Sequence, residues 1–235
     1  MKNITRKTAT LVTAAAFLVP LACSSAKTPT QAAQPSDGGA DYQITFASQW
    51  TPQTHPLEYP EAGALTGPHF SGLIGAAHNG SLVIFKEGMP PTPGLERLSE
   101  EGKHSPLDEE IKTAIKDGKG SMLFETGPLK DFSQKVTGTV HVNDRNAMVS
   151  FVAMIAPSPD WFTGADNVNL KENGAWVASK TVSLYAWDSG GDDGTTYKAD
   201  DMDTNPKKAT TMAGTPHFVI NGTPVPVATV TFTRM

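Results

Sequence analysis

Residues Met148–Ile155 run Met-Val-Ser-Phe-Val-Ala-Met-Ile, with Ser150 the single polar residue among the eight. A near-continuous apolar run of this length reads as a central strand covered on both faces. Three other stretches alternate instead. Tyr42, Ile44 and Phe46 are interleaved with Gln43 and Thr45, and Val136, Gly138, Val140 and Val142 with Thr137, Thr139 and His141. Ala228, Val230 and Phe232 are interleaved with Thr229, Thr231 and Thr233. Period two gives each of these strands one dry and one wet face. Shorter apolar strands are predicted at 81–85, 121–125 and 182–187, and Ile220-Asn221-Gly222-Thr223 marks a tight turn before the last strand. The chain holds 21 Gly and 18 Pro in 235 residues, a share that favours many short strands over a helical bundle. One helix is expected to start at Ser105-Pro106-Leu107-Asp108, with a serine cap, a proline at the first position and an early acid. Leu107, Ile111, Ala114 and Ile115 give it one apolar stripe, and 95–101 reads as a second, shorter helix. The prediction is an all-β, antiparallel β-sandwich of about eight strands with one or two short helices, in one domain over about 41–235.

The N-terminus reads as a targeting segment over 1–22. Lys2, Arg6 and Lys7 precede Ala9–Ala22, 14 mostly small and apolar residues. That run is shorter than the ~20 residues a membrane-spanning helix needs. It ends in Val19-Pro20-Leu21-Ala22-Cys23, with the only cysteine of the chain where a bacterial lipoprotein signal places its lipid-bearing residue. Pro20 and Leu21 depart from the usual residues of that signal. Cleavage after Ala26 or Ala32 would instead release a free secreted protein. From 23 to 40 the chain is almost wholly Ser, Thr, Gln, Ala, Pro and Gly, a flexible tether with a reach of roughly 20–25 Å. Lipid on Cys23 would hold the domain just off a membrane face, in a bacterial cell envelope.

Composition excludes several classes. Net charge is -5, and removing 1–22 leaves 16 bases against 24 acids. An acidic exported domain lacks the basic stripe that nucleic acid requires. A single cysteine rules out a disulfide framework. No Gly-x-Ser-x-Gly elbow, phosphate-binding glycine loop or His-Glu-x-x-His string occurs. The spacing of His55, His69 and His78 does not support zinc; His69 and His78 are read as partners of loop carbonyls, and His141 as exposed.

Three aspartates carry the candidate chemistry. Asp160 follows a Pro-Ser-Pro turn just past the central strand, Asp188 ends the strand over 182–187, and Asp192 lies across a Ser-Gly-Gly turn. Calcium takes about six to eight hard oxygens, largely from loop carboxylates and carbonyls, so these three supply part of such a site. The loop is not an EF-hand, because Ala199 stands where that loop needs its closing glutamate. Asp160 with Asp188 also has the form of a glycosidase pair, which keeps an envelope-associated hydrolase as the alternative. A calcium-dependent phospholipid binder would want basic or apolar loop tips, whereas the neighbours are Gly, Ser and further Asp. Asp166, Asp193, Asp200, Asp201 and Asp203 are read as solvated loop charges.

Longer strings are more specific than composition. They include Thr54-His55-Pro56, His69-Phe70-Ser71, Leu73-Ile74-Gly75-Ala76-Ala77-His78, Pro157-Ser158-Pro159-Asp160-Trp161-Phe162 and Trp187-Asp188-Ser189-Gly190-Gly191-Asp192-Asp193-Gly194. In this order they resemble the spondin N-terminal domain of F-spondin, mindin and bacterial envelope proteins, over about 42–234. The resemblance implies an eight-stranded antiparallel sandwich with a bound calcium ion, laid out like calcium-dependent phospholipid-binding domains. It also implies a non-enzymatic adhesion or binding module with a protein or glycan ligand. Lys171, after Asn169-Leu170, stands where the animal domains are expected to carry a cysteine, and no thrombospondin-type repeat follows in these residues.

Overall fold

The computed structural model describes residues 38–60 and 67–235; the leader, Cys23 and the tether up to Asp37 lie outside the described residues. β1 (Ala40–Ser48), β2 (His69–Phe70) and β3 (Ile74–His78) come first. Helices α1 (Pro93–Glu101) and α2 (Leu107–Lys116) follow. The long strands β4 (Gly120–Glu125), β5 (Val136–Val142), β6 (Met148–Ala156) and β7 (Trp161–Asn169) succeed them. Then come the short pieces β8 (Lys171–Glu172) and β9 (Ala175–Trp176), followed by β10 (Ser179–Leu184) and β11 (Ala186–Asp188). β12 (Thr211–Met212), β13 (Val219–Ile220), β14 (Thr223–Pro224) and β15 (Ala228–Arg234) complete the order.

One sheet runs β10-β15-β1-β5, and the other runs β12-β11-β7-β6-β3-β4 with β2 added on β6. All described pairings are antiparallel. The alternating residues behave as their period demands: Tyr42, Ile44 and Phe46 on β1, and Val230 and Phe232 on β15, are fully buried between the sheets. β6 lies inside its sheet between β3 and β7, with helices on its far face. Val149, Phe151, Ala153 and Ile155 pack into the sandwich, while Val152 packs with Leu95, Leu98, Leu107 and Ile111 in the helix layer. A strand dry on both sides has no wet face to mark, which is why its sequence does not alternate.

The sequence expectation placed no strand over β3 or β7, and four further details differ from it. The apolar run at 81–85 is not a strand: β3, the nearest strand in sequence, is already paired on both edges by β4 and β6. Leu82, Ile84 and Phe85 instead plug the helix-side cluster, and Val83 faces solvent. The run at 182–187 divides after Leu184, because the chain leaves one sheet and enters the other. Ser105 does not cap α2; Pro106 holds the cap position with no side-chain bond, and the amide of Asp108 binds the His104 carbonyl at 2.9 Å. α1, by contrast, has a side-chain cap, with Thr92 Oγ1 accepting from the amide of Leu95 at 3.2 Å. Finally, the folded part reaches into the end of the expected tether: Ala40 is already in β1, and the Gly38 carbonyl accepts from Trp176 Nε1 at 2.9 Å.

Candidate functional site

Asp160 is set in place by the two aromatic residues after it. Trp161 points into the sandwich, fully buried, with edge contacts to Tyr197 and Phe218 at centroid distances of 5.3 and 5.0 Å. Phe162 points the other way, into the helix layer, against Phe85 at 5.1 Å. Such aromatic pairs add about 0.5–1.5 kcal/mol each beyond their burial. Two anchors on opposite faces leave the preceding residue at the strand mouth with little freedom. Ser158 shapes the turn, donating to the Ile155 carbonyl at 2.5 Å and accepting from the Trp161 amide at 3.1 Å.

Asp160 is itself fully buried. Its Oδ2 accepts from Ser189 Oγ at 2.8 Å, the Gly191 amide at 2.8 Å and the Asp192 amide at 3.2 Å. Its Oδ1 is buried with no hydrogen-bond partner. Ser99 of α1 donates to Ser189 Oγ at 3.1 Å, extending the chain of hydroxyls into the helix layer.

The second arm begins at Asp188, which pairs with Trp161 across β11 and β7. Gly190 then turns the chain at φ +84°, a left-handed conformation that suits glycine, and a Cβ there would lie 2.4 Å from the Lys208 carbonyl. The Gly190 amide donates to Asp188 Oδ1 at 3.0 Å. Asp192 accepts from the Gly194 amide at 2.5 Å and from the Met202 amide at 2.6 Å. Thr204 and Lys208 close the loop through the Gly191 and Gly190 carbonyls. Asp160, Asp188 and Asp192 thus lie at one end of the sandwich, linked through the amides of Gly191 and Asp192 and the pairing of Asp188 with Trp161.

Crowding of like charge shows in the acidities. Burial pushes the Asp160 carboxyl up against the pull of its three donors. Burial and the charge of Asp160 push Asp188 up to about 6. A fourth carboxylate joins them: burial and the charge of Glu96 push Glu100 of α1 up to about 7, with Asp160 and Asp192 adding to the repulsion. Glu100 lies 60 residues upstream of Asp160, and nothing in its local sequence marked it.

The donor set fits a hard divalent cation in its chemistry: buried oxygens, mutual repulsion and one buried oxygen left without a donor. The ligand sphere is not assembled, however. Among the described residues no three His, Cys, Asp or Glu side chains are grouped so as to hold a metal ion. Loop amides hold the oxygens of Asp192 and one oxygen of Asp188, so a cation would have to draw these side chains off their amides.

The remaining candidates serve the fold. His69 Nδ1 bonds the Gly67 carbonyl at 2.8 Å, as expected of a loop partner. His78 does not: it is buried in β3, its Nε2 lies 2.8 Å from Ser150 Oγ, and its Nδ1 accepts from the Gly80 amide. His55 is buried against Phe218, and His141 pairs with Asp41 at 2.7 Å. Asp193 and Asp203 are ion-paired with Lys208 and Lys207, and Asp166 accepts from Ser150 Oγ at 2.9 Å. Lys171 stacks over Trp176 and pairs with Asp144 at 2.6 Å.

Fold and site together define an antiparallel β-sandwich domain with a helix layer on one face and an acidic loop cluster at one end. The Spondin_N family model matches residues 40–217, and the chain belongs to that family. Rat Spondin-2 is 31% identical over 208 residues, covering 83% of this chain and 62% of its own length. Human Spondin-2 is 30% identical over 175 residues, or 73% of this chain and 52% of its own. Bovine Spondin-1 is 31% identical over 185 residues, or 73% of this chain and 21% of its own. The chain thus spans less than two thirds of each of these relatives.

Proposed function

We propose that the protein is an exported, non-enzymatic binding or adhesion module, anchored by lipid on Cys23 in a bacterial cell envelope and carrying one calcium ion on Asp160, Asp188 and Asp192. The observation that carries the calcium reading is the buried Asp160 Oδ1, without a donor, in a cluster where the Asp160 charge bears on both Asp188 and Glu100. Membership of the Spondin_N family supports the extracellular binding role. When bound, calcium would supply two positive charges that cancel this repulsion and fix the loops between 158 and 204 as a recognition surface for a protein or glycan ligand. Binding to the folded state alone adds stability, about 2.7 kcal/mol at a hundredfold excess over Kd.

Two measurements test the reading. Calorimetry on the metal-stripped full chain should show heat of binding and a raised melting temperature in millimolar calcium. No heat and an unchanged melting point would overturn the calcium site. Intact mass of the membrane fraction should show a chain starting at Cys23 with a diacylglyceryl group, released to the soluble fraction in Cys23→Ser. An unmodified soluble chain starting at Lys27 or Ala33 would overturn the anchor.

A further inference from the structure

We infer that Glu100 on α1 is an additional ligand of the same cation, so that the ion joins the helix layer to the loop end of the sandwich; this rests on the calcium reading above. Glu96 and Glu100 stand one turn apart on the face of α1 that meets the acidic loop. Glu96 has a cation of its own, Lys207 Nζ at 2.8 Å. Glu100 has no hydrogen bond or ion pair among the described residues, although it is half-buried.

Two geometric facts tie Glu100 to Asp160. A Cβ placed on Gly191 would lie 2.8 Å from Glu100 Oε1, so the absence of a side chain at 191 is what admits this carboxylate. The amide of the same Gly191 donates to Asp160 Oδ2. Glu100 and Asp160 therefore flank one glycine, and the remaining oxygen of Asp160 is buried without a donor. Next to them lies a cavity of about 290 Å³ lined by Glu100, Ser158, Pro159 and Asp192 among others. One oxygen of Asp160 lacks a donor, and Glu100 has no hydrogen bond and only the through-space charge of Lys207 against the neighbouring carboxylates, an arrangement that is costly unless further positive charge stands between them.

The test is a calcium titration of the metal-stripped full chain by calorimetry, with melting curves in chelator. Glu100→Gln should weaken calcium binding roughly tenfold or more, since charge count at the site sets affinity. It should also raise the metal-free melting temperature, because it removes the repelled charge. Glu100→Asp keeps the charge but shortens the reach, and should weaken binding without that rise. Glu96→Gln, which breaks the Lys207 pair, should lower the metal-free melting temperature while leaving calcium affinity within about twofold. Hydrogen exchange gives a second readout: calcium should slow exchange of the α1 amides in the unaltered chain and not in Glu100→Gln. If the unaltered chain binds calcium and Glu100→Gln binds it equally, the role of Glu100 is overturned while the Asp160 site stands. If the unaltered chain takes up no calcium, both fall together.

Discussion

Glu96 Oε1 lies 2.8 Å from Lys207 Nζ, and the same ammonium reaches the Gly191 carbonyl at 3.2 Å and the Asp203 carboxylate. One lysine therefore ties α1 to two points of the loop that follows Asp188. Its side chain and that of Glu96 are each about a quarter exposed, so the pair is less screened than a surface one.

Lys207→Gln should cost about 1–2 kcal/mol, more than an exposed pair and less than a fully buried one. Urea melts of the metal-free chain would measure it. Hydrogen exchange should show the amides between 189 and 204 losing protection while β6 keeps its own. Uniform loss across both regions would mean that the lysine supports the whole fold rather than the loop.

Asp160 separates a structural from an electrostatic role. Asp160→Ala strands the buried amides of Gly191 and Asp192 and the Ser189 hydroxyl. Each buried group left without a partner costs about 1–3 kcal/mol, so this variant should be strongly destabilised. Asp160→Asn keeps an acceptor and the volume, and removes one repelled charge. It should melt within a few degrees of the unaltered chain in chelator, yet show no calcium-dependent rise. A full calcium response in Asp160→Asn would place the ion elsewhere.

The alternating strands β1, β5 and β15 were legible in place. Ile44 pairs with Phe232 and Phe46 with Val230, and their alternation could be read directly. What was not legible depended on long-range partners. The apolar run at 81–85 has the residues of a strand, but pairing requires an open edge, and both edges of β3 are taken. The run at 182–187 is continuous in sequence while Val182 pairs with Val230 in one sheet and Trp187 with Phe162 in the other. In the site, glycines between close aspartates gave away the loop of Asp188 and Asp192. Glu100 and Lys207 reach that loop from elsewhere in the chain, by packing that no local pattern encodes.

Gly190→Ala tests whether the fold-back of that loop is needed for binding. The residue sits at φ +84°, and an added Cβ would meet the Lys208 carbonyl at 2.4 Å, so the backbone has to shift. The left-handed conformation alone costs a non-glycine residue about 1 kcal/mol or more. The cores built on β1, β6 and β15 do not include this glycine and should survive, as circular dichroism would show. Calcium affinity should fall, since Asp188 and Asp192 flank the displaced turn. Retained affinity would mean that the two aspartates do not act together.

The pH dependence of the metal-free domain has a defined sign. In the fold Asp188 is raised to about 6 and Glu100 to about 7, whereas in the unfolded chain both titrate near pH 4. Between about pH 4 and pH 7 the folded state therefore binds more protons than the unfolded one. Stability from these groups is complete below about pH 4 and is lost as pH rises through 6 to 7. Buried His55 and His78 act in the opposite sense, because burial lowers their pKa and the unfolded chain takes up protons below about pH 6.5. The two trends overlap in the unaltered chain, so a difference between variants isolates the first. In chelator, Asp188→Asn should melt higher than the unaltered chain at pH 8 and nearly level with it at pH 4.5. Adding calcium at pH 8 should narrow that gap, since the ion stabilises only the chain that keeps its carboxylate. A gap that stays constant from pH 4.5 to pH 8 would show that Asp188 carries an ordinary carboxylate and that the cluster stores no repulsion for a cation to relieve.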